Sequence, residues 1–381
     1  MEYHDSDKAQ EVATRVEAFM EEEVLPRERE ALRTGDLISF DELEEYWEMA
    51  KDRDLFAPQM SEEYGGQGLD FRDMLPAFEQ VGRSLFGARA IRANAPDEGN
   101  MHTLEIGASE EIKEEYLRPL VQGDMWSAFS MTEPMGGGGS DPKMLQTTAE
   151  KDGDEWVING HKWWITNGGE ADFFITLART DQEKHPYKGC SLIIVPEDTP
   201  GLEVKRDIPH LGDDITSTVH SEIRYDDVRV PESNLLGGEG EGFTIAQKRL
   251  GPARLTHCMR FSGMAGRALD VAKAYTSERE GFGGPIADKQ AVRFEIAEAE
   301  TNLHAARSMV RHAANEISNG NEARVAVSMC KYFTANVTEQ AINTALQFCG
   351  ASGVGKDLPI ADFYENVRQF RIVDGAAEVH R

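Results

Sequence analysis

Apolar residues along the first third of the chain recur every three or four positions, with Val12, Val16, Phe19, Met20 and Val24 at helical spacing. Ser39 followed by Glu42 makes a capping-box pattern ahead of ELEEYWEMAKDRDLF, which predicts a helix there. Leu104 to Leu117 continues in the same style, with an acidic outer face. From about residue 126 the pattern changes. EWVINGHKWWITN, DFFITLART, GCSLIIVPE and SEIRYDDVRVP are short β-branched or aromatic runs broken by Gly, Pro and Asp. Long amphipathic helices return in RALDVAKAYTSERE, AVRFEIAEAETNLHAARSMVRHAANEIS and VAVSMCKYFTANVTEQAINTAL. The fold class expected is α+β: an N-terminal helical domain over residues 1–125, a middle, β-barrel-like domain over 126–236, and a C-terminal helical bundle over 237–381.

Composition narrows the partners. The 381 residues carry 68 acidic and 40 basic side chains, a formal net charge of −28. Such a chain repels nucleic-acid phosphates and anionic membrane surfaces, so neither is expected as a partner. The acid is spread along the chain, as in EEEVLPRERE and SEEIKEEY, and arginine outnumbers lysine by roughly two to one. A surface of this kind suits a high-salt interior, where screening relieves self-repulsion, and a halophilic source is expected. The four cysteines show no CxxC spacing and sit among apolar or helical neighbours, as core thiols in a reducing compartment do. The start, MEYHDSDKAQ, offers neither an apolar leader nor an arginine-rich transit pattern, and a cytoplasmic location is expected. His161, His210 and His220 are isolated in sequence without metal-ligand spacing, so no metal site is expected.

The most unusual stretch is MTEPMGGGGSDP, residues 131–142. Four glycines could be a linker, a phosphate cradle or the floor of a cofactor site. A linker would be flanked by polar, structureless sequence, whereas this run follows the strand-like MWSAFSMTEP and precedes another strand region. No Gly-Lys-Ser/Thr follows, which excludes a Walker loop, and no strand–GxGxxG–helix order marks a dinucleotide fingerprint. A turn that lets the backbone approach a flat cofactor competes with a plain loop.

A second motif follows some twenty residues later, INGHKWWITNG, and a third is REGFGGPIADKQ. LQFCGASGV and the terminal RIVDGAAEVHR complete a series of five. In order and spacing this series resembles the acyl-CoA dehydrogenase family, over essentially the whole chain. The resemblance implies FAD as cofactor, an acyl-CoA as substrate and an electron-transfer flavoprotein as acceptor of the electrons. It also implies a homo-oligomer, a dimer of dimers (homotetramer), because part of the FAD contacts come from a neighbouring subunit.

Carried onto this chain, Phe129, Met131 and Thr132 resemble the flavin-contacting strand, and Trp164, Ile165 and Thr166 the opposite wall, with Thr166 near the flavin N5. Ser140 resembles the serine that reaches the cofactor or the CoA pyrophosphate, although the glycine run is longer than is usual in the family. Arg279, Phe282, Gln290, Gln347 and Gly350 resemble the group that serves the neighbouring subunit's FAD; a guanidinium suits a pyrophosphate by charge and geometry. Ala376 and Glu378 fall where contacts to the cofactor are implied, with Ala376 replacing a common Thr. Arg254 and Gly375 fall where contacts to the substrate are implied. Taken alone, Trp163 and Trp164 also read as core residues of the β-domain, and Arg279 as one half of a solvated ion pair.

The family oxidises an acyl-CoA to its trans-2-enoyl thioester, with a carboxylate as base. One of the two positions used for that base is Ala253 here, which cannot take a proton. The other is Asp374, one methylene shorter than the usual Glu, and it is the catalytic residue expected, aided by its own backbone N–H at the thioester oxygen. Outside the resemblance, an Asp before Gly reads as a turn or cap. The Asp base, with APDEGNM and RLGPARLTHCMR, resembles a branch that in animals is fused to a kinase-like domain and linked to hydroxylated or branched long-chain acyl-CoAs; none of these residues reads as a kinase. Relatives also run on past Arg381 for a short helix, which leaves two readings, a truncated chain or a flavin site with less cover. Two other readings stay open: a flavin oxidase of the same fold, of the nitroalkane oxidase or acyl-CoA oxidase type, and a cofactor-free scaffold.

Overall fold

The computed structural model describes residues 4–212 and 218–381. Helix α1 (Asp7–Phe19) starts where the Ser6 hydroxyl accepts the Ala9 amide, and its stripe Val12, Val16 and Phe19 is buried. The predicted capping box is present: Glu42 N donates to Ser39 Oγ at 3.2 Å, and Ser39 N donates to Glu42 Oε2 at 3.0 Å, ahead of α2 (Phe40–Asp52). Helices α3 (Phe71–Val81) and α4 (Asp97–Gly107) follow, and the last helical residue before the sheet is Gln122.

Among the described residues, eight strands form one mixed sheet: β1 (Ser127–Ser130), β2 (Thr148–Asp152), β3 (Glu155–Thr166), β4 (Phe173–Arg179), β5 (Cys190–Pro196), β6 (Leu202–Asp207), β7 (His220–Pro231) and β8 (Leu235–Leu236). Their order is β6-β7-β3-β2-β4-β5-β8, and β1 pairs with β4 in parallel. The two-residue period of a strand divides β4 between two cores. Phe173, Ile175 and Leu177 pack against the helical domains, whereas Phe174 and Ala178 join Trp156, Ile193 and Val195 on the other face. Burial on both faces explains why these strands read as continuous apolar runs.

The C-terminal bundle is built from α5 (Gly242–Glu278), α6 (Gln290–Ser318), α7 (Arg324–Cys349), α8 (Ile360–Phe370) and the single turn α9 (Ala377–His380). Helix α5 packs along α7, α6 and α3. Gly263 allows the approach to α3: a Cβ there would lie 1.9 Å from Glu79 O. All four cysteines are free and buried. No helix among the described residues is long and apolar enough to cross a membrane.

Ion pairs decorate this surface, but 68 acidic against 40 basic groups leave an excess of 28 negative charges. Screening shortens from a Debye length of about 10 Å at 0.1 M salt to about 3 Å at 1 M. Relief of the excess repulsion should raise Tm by about 5 °C or more across that range, which for a chain of this length corresponds to about 4 kcal/mol or more. A calorimetric scan at each salt concentration checks this; a flat profile removes the case for a halophilic source.

Candidate active site

The two aromatic-rich motifs meet because a buried lysine ties them together. Lys162 falls on β3 in the same inward register as Trp156 and Ile158, and it is fully buried. Its Nζ donates to Met131 O at 2.9 Å, to Leu177 O at 2.9 Å and to Glu133 Oε1 at 3.1 Å. Burial pulls the lysine down to about 8, while Glu133 pushes back. Burial opposes Glu133 too, yet Lys162 and the donors of Thr147 and Gly138 hold its carboxyl below the usual value.

Glu133 also organises the glycine run. Its carboxylate accepts from Gly138 N (2.8 Å), Gln146 N (2.7 Å), Thr147 N (2.8 Å) and Thr147 Oγ1 (2.6 Å). Gly137 is required by this wrapping, since a Cβ there would lie 2.4 Å from Glu133 Oε2. The run is a turn folded around a buried carboxylate, with one of its amides spent on that side chain. Ser140 is exposed beyond it.

Just past Lys162, β3 slips against β7 between Lys162 and Ile165. A bulge re-aims side chains. Trp164 adopts a φ of +56° and stands 42% exposed. Trp163 N donates to Thr132 O at 3.0 Å, which stitches the bulge to the end of the β1 segment. Thr166 Oγ1 lies 3.0 Å from His220 Nδ1, and the His210 and His220 rings, 4.5 Å apart, both flank Trp164. These two histidines are therefore not isolated in space. Burial, then His210, pushes His220 down to about 4.

The motif PDEGN, residues 96–100, joins the three segments. Buried Asp97 accepts from Ser127 N (2.9 Å) and Ser127 Oγ (2.7 Å), which anchors β1 to α4. Asn100 Nδ2 donates to Ser127 Oγ, and Asn100 Oδ1 accepts from Arg249 Nε of α5 at 3.2 Å. The Arg249 guanidinium lies 4.2 Å over the Phe129 ring. Glu98 is buried, accepts from Thr256 Oγ1 at 3.0 Å and lies 3.7 Å from Arg260. Burial raises its pKa, against Arg260 and Thr256. A cavity of about 360 Å³ opens here, lined by Glu98, Gly99, His102, Arg249, Pro252 and Ala253 among others.

Asp374 stands on the turn between α8 and α9, with φ +55°, followed by Gly375 at +94°. Its side chain is 20% exposed, yet Oδ2 is shielded and has no hydrogen-bond partner among the described residues. Oδ2 lies 3.6 Å from His257 Nδ1, and that imidazole contacts Ala253 O at 2.6 Å, so one residue separates Asp374 from the cavity wall. Burial opposes ionisation of Asp374, but His257, Arg249, Arg254 and Lys331 together hold its pKa below the usual value. Burial and Arg260 push His257 itself down to about 4, so the two arginines and Lys331 provide the offset at neutral pH. Arg254, expected at the substrate, donates through Nε to Asp374 O at 2.9 Å.

The remaining expected residues lie on the C-terminal bundle. Arg279 is the residue after α5, outside the helix, and Phe282 is held on the following turn with a φ of +53° and its ring 96% exposed. Gln290 begins α6, Gln347 lies near the end of α7, and Gly350 caps that helix. Ala376 caps α9, on which Glu378 is exposed 3.9 Å from Arg371. Sequence reasoning passed over Glu133, Lys162, Glu98, His257 and Lys331. Lys162 had a signal, since it falls in the alternating register of Trp156 and Ile158 on β3.

The arrangement fits a flavin. A half-exposed Trp164, the Thr166 hydroxyl and the stitched Met131–Thr132 edge bring an aromatic surface and polar groups together at one end of β3. Phe282, exposed on the turn after α5, offers a second aromatic surface. Three family models match in succession: acyl-CoA dehydrogenase N-terminal domain over residues 6–124, middle domain over 128–228 and C-terminal domain over 240–381. The Mycobacterium tuberculosis protein named Probable acyl-CoA dehydrogenase FadE2 is 39% identical, over 100% of this chain and 95% of its own. Acyl-CoA dehydrogenase family member 11 of Gallus gallus is 37% identical over 99% of this chain, which spans only 50% of that longer relative. The solved butyryl-CoA dehydrogenase of Megasphaera elsdenii superposes with a TM-score of 0.88 at 28% identity, covering 100% of this chain and 97% of that one. Fold, motifs and relatives agree, and the chain belongs to the acyl-CoA dehydrogenase family, FAD-containing oxidoreductases that act on acyl-CoA.

Proposed function

We propose that this chain converts a saturated acyl-CoA to the trans-2-enoyl-CoA and passes the electrons to an electron-transfer flavoprotein. FAD, when bound, supplies the acceptor for the β-hydride. Asp374 removes the α-proton. The observation that carries this assignment is its Oδ2, a shielded carboxylate oxygen with no hydrogen-bond partner among the described residues. A carboxylate in that condition has a free lone pair with which to accept a proton. Arg249, Arg254 and Lys331 keep it ionised until substrate arrives. The same reading gives Met131, Thr132, Trp164 and Thr166 to the flavin, with Lys162 and Glu133 holding that edge in place.

Two further parts of the proposal concern assembly. Arg279, Phe282 and Gln290 serve the FAD of a neighbouring subunit in a dimer of dimers; the fully exposed Phe282 ring supports this. Domain limits at residues 125 and 236 agree with the helix ending at Gln122, the strands from Ser127 to Leu236 and the helix beginning at Gly242. The buried free thiols favour a reducing, cytoplasmic setting. The polar members of the cavity wall, Glu98, His102 and Arg249, support an acyl group that is not purely hydrocarbon.

The choice of electron acceptor is tested on the FAD-loaded protein reduced with acyl-CoA. Reoxidation by an electron-transfer flavoprotein, with little oxygen consumption, is expected. Rapid oxygen consumption with peroxide release would identify an oxidase instead.

A further inference from the structure

Lys331 sits on α7 with its side chain fully buried. No carboxylate among the described residues lies within ion-pair distance of it, although a buried ammonium is costly unless it is well bonded. Its Nζ donates to Phe370 O at 2.6 Å and to Gly375 O at 2.9 Å. Phe370 is the last residue of α8, and Gly375 directly follows Asp374. One ammonium therefore bridges both ends of the turn that carries the carboxylate.

That turn needs holding. Two successive residues with positive φ cost free energy unless their surroundings fix them, the more so when one is not glycine. Asp374 O is gripped from the other side by Arg254 Nε at 2.9 Å and His380 Nε2 at 3.0 Å. A neutral donor could tie the turn just as well. A lysine adds a positive charge on the turn of a carboxylate whose Oδ2 has no hydrogen-bond partner among the described residues.

We propose that Lys331 is the positioning residue for Asp374: its ammonium ties the two ends of the base-bearing turn and sets a positive charge on the carbonyl of the residue next to the carboxylate. This rests on the reading of Asp374 as the base. The other groups that set the field at Asp374 are Arg249, Arg254 and His257 of α5, with Glu98 of α4 opposing them. Lys331 itself faces Asp374, Cys258, Arg254 and Glu378, and His380 sees both Lys331 and Asp374. Burial brings the lysine down to about 8, so it keeps its charge at neutral pH.

The test uses FAD-loaded Lys331→Met and Lys331→Gln beside wild type and Asp374→Asn, in anaerobic single turnover with one acyl-CoA across about pH 5 to 9. Lys331→Met should retain FAD and bind acyl-CoA within about threefold of wild type, while flavin reduction slows by about 10²-fold, the cost of a base misplaced by about 1 Å. Loss of the charge should also move the acidic limb of the profile up by about one pH unit. Lys331→Gln should show the same shift of the limb with a smaller loss of rate, because its amide still reaches a carbonyl. A merely structural lysine would lower Tm and leave the limb in place. If both variants reduce flavin at the wild-type rate with the wild-type limb, while Asp374→Asn is inactive, the proposal is overturned. If Lys331→Met does not fold, Lys331→Gln decides by the same criteria. Normal reduction by Asp374→Asn would instead overturn the base reading, and the role of Lys331 with it.

Discussion

Asp374→Asn should reduce flavin about 10²–10⁴-fold more slowly than wild type, the usual cost of losing a general base. The amide keeps the shape of the side chain and cannot accept the α-proton. FAD content and acyl-CoA affinity should change little, because Arg254, Lys331 and His380 hold the turn through backbone carbonyls at Phe370, Asp374 and Gly375. Asp374→Glu probes the reach of the base. If the cavity has drawn in to meet the shorter side chain, Glu overpacks and loses about 10²-fold. If the geometry is that of relatives with Glu, activity on a straight-chain acyl-CoA is retained or raised. Both are read by stopped-flow bleaching. Should Asp374→Asn bleach like wild type, Glu98 becomes the candidate, since it lines the cavity itself and burial raises its pKa.

Lys162→Met should be the most destabilising single change outside the catalytic turn. It removes three donor contacts and leaves Glu133 buried without its cation. Breaking a buried pair from one side costs about 3–5 kcal/mol, which for a chain of this length corresponds to a fall in Tm of about 4–6 °C. FAD content should fall as well, because Met131 O loses its tie to β3. Adding Glu133→Gln to the Lys162→Met protein should restore part of the loss, since the unpaired charge is then gone. Calorimetry and the flavin-to-protein absorbance ratio check both effects. A Tm within about 2 °C of wild type, at full FAD content, would contradict this account of the flavin edge.

Much of this was legible in the chain. Local patterns carried the helical start, the strands and the long bundle helices, because each depends on neighbours a few residues away. Asp374 stood out because the motif around it is contiguous. The partners that give these residues their properties were not legible. Lys331 reaches Gly375 across 44 positions, and Glu98 meets Thr256 across 158. The exposure of Trp164 depends on a bulge that no residue type announces. A buried lysine or glutamate reads as a surface charge until the fold supplies its donors, and that is why Glu133 was seen only as a member of a glycine-flanked turn.

The central claim is that this chain takes hydrogen from the α and β carbons of an acyl-CoA thioester. Anaerobic titration of the FAD-loaded protein with a panel of straight, branched and hydroxylated acyl-CoAs tests it most directly. At least one saturated acyl-CoA should bleach the flavin stoichiometrically and be recovered as its trans-2-enoyl thioester. A protein that holds FAD yet stays fully oxidised with every acyl-CoA in the panel would contradict the account.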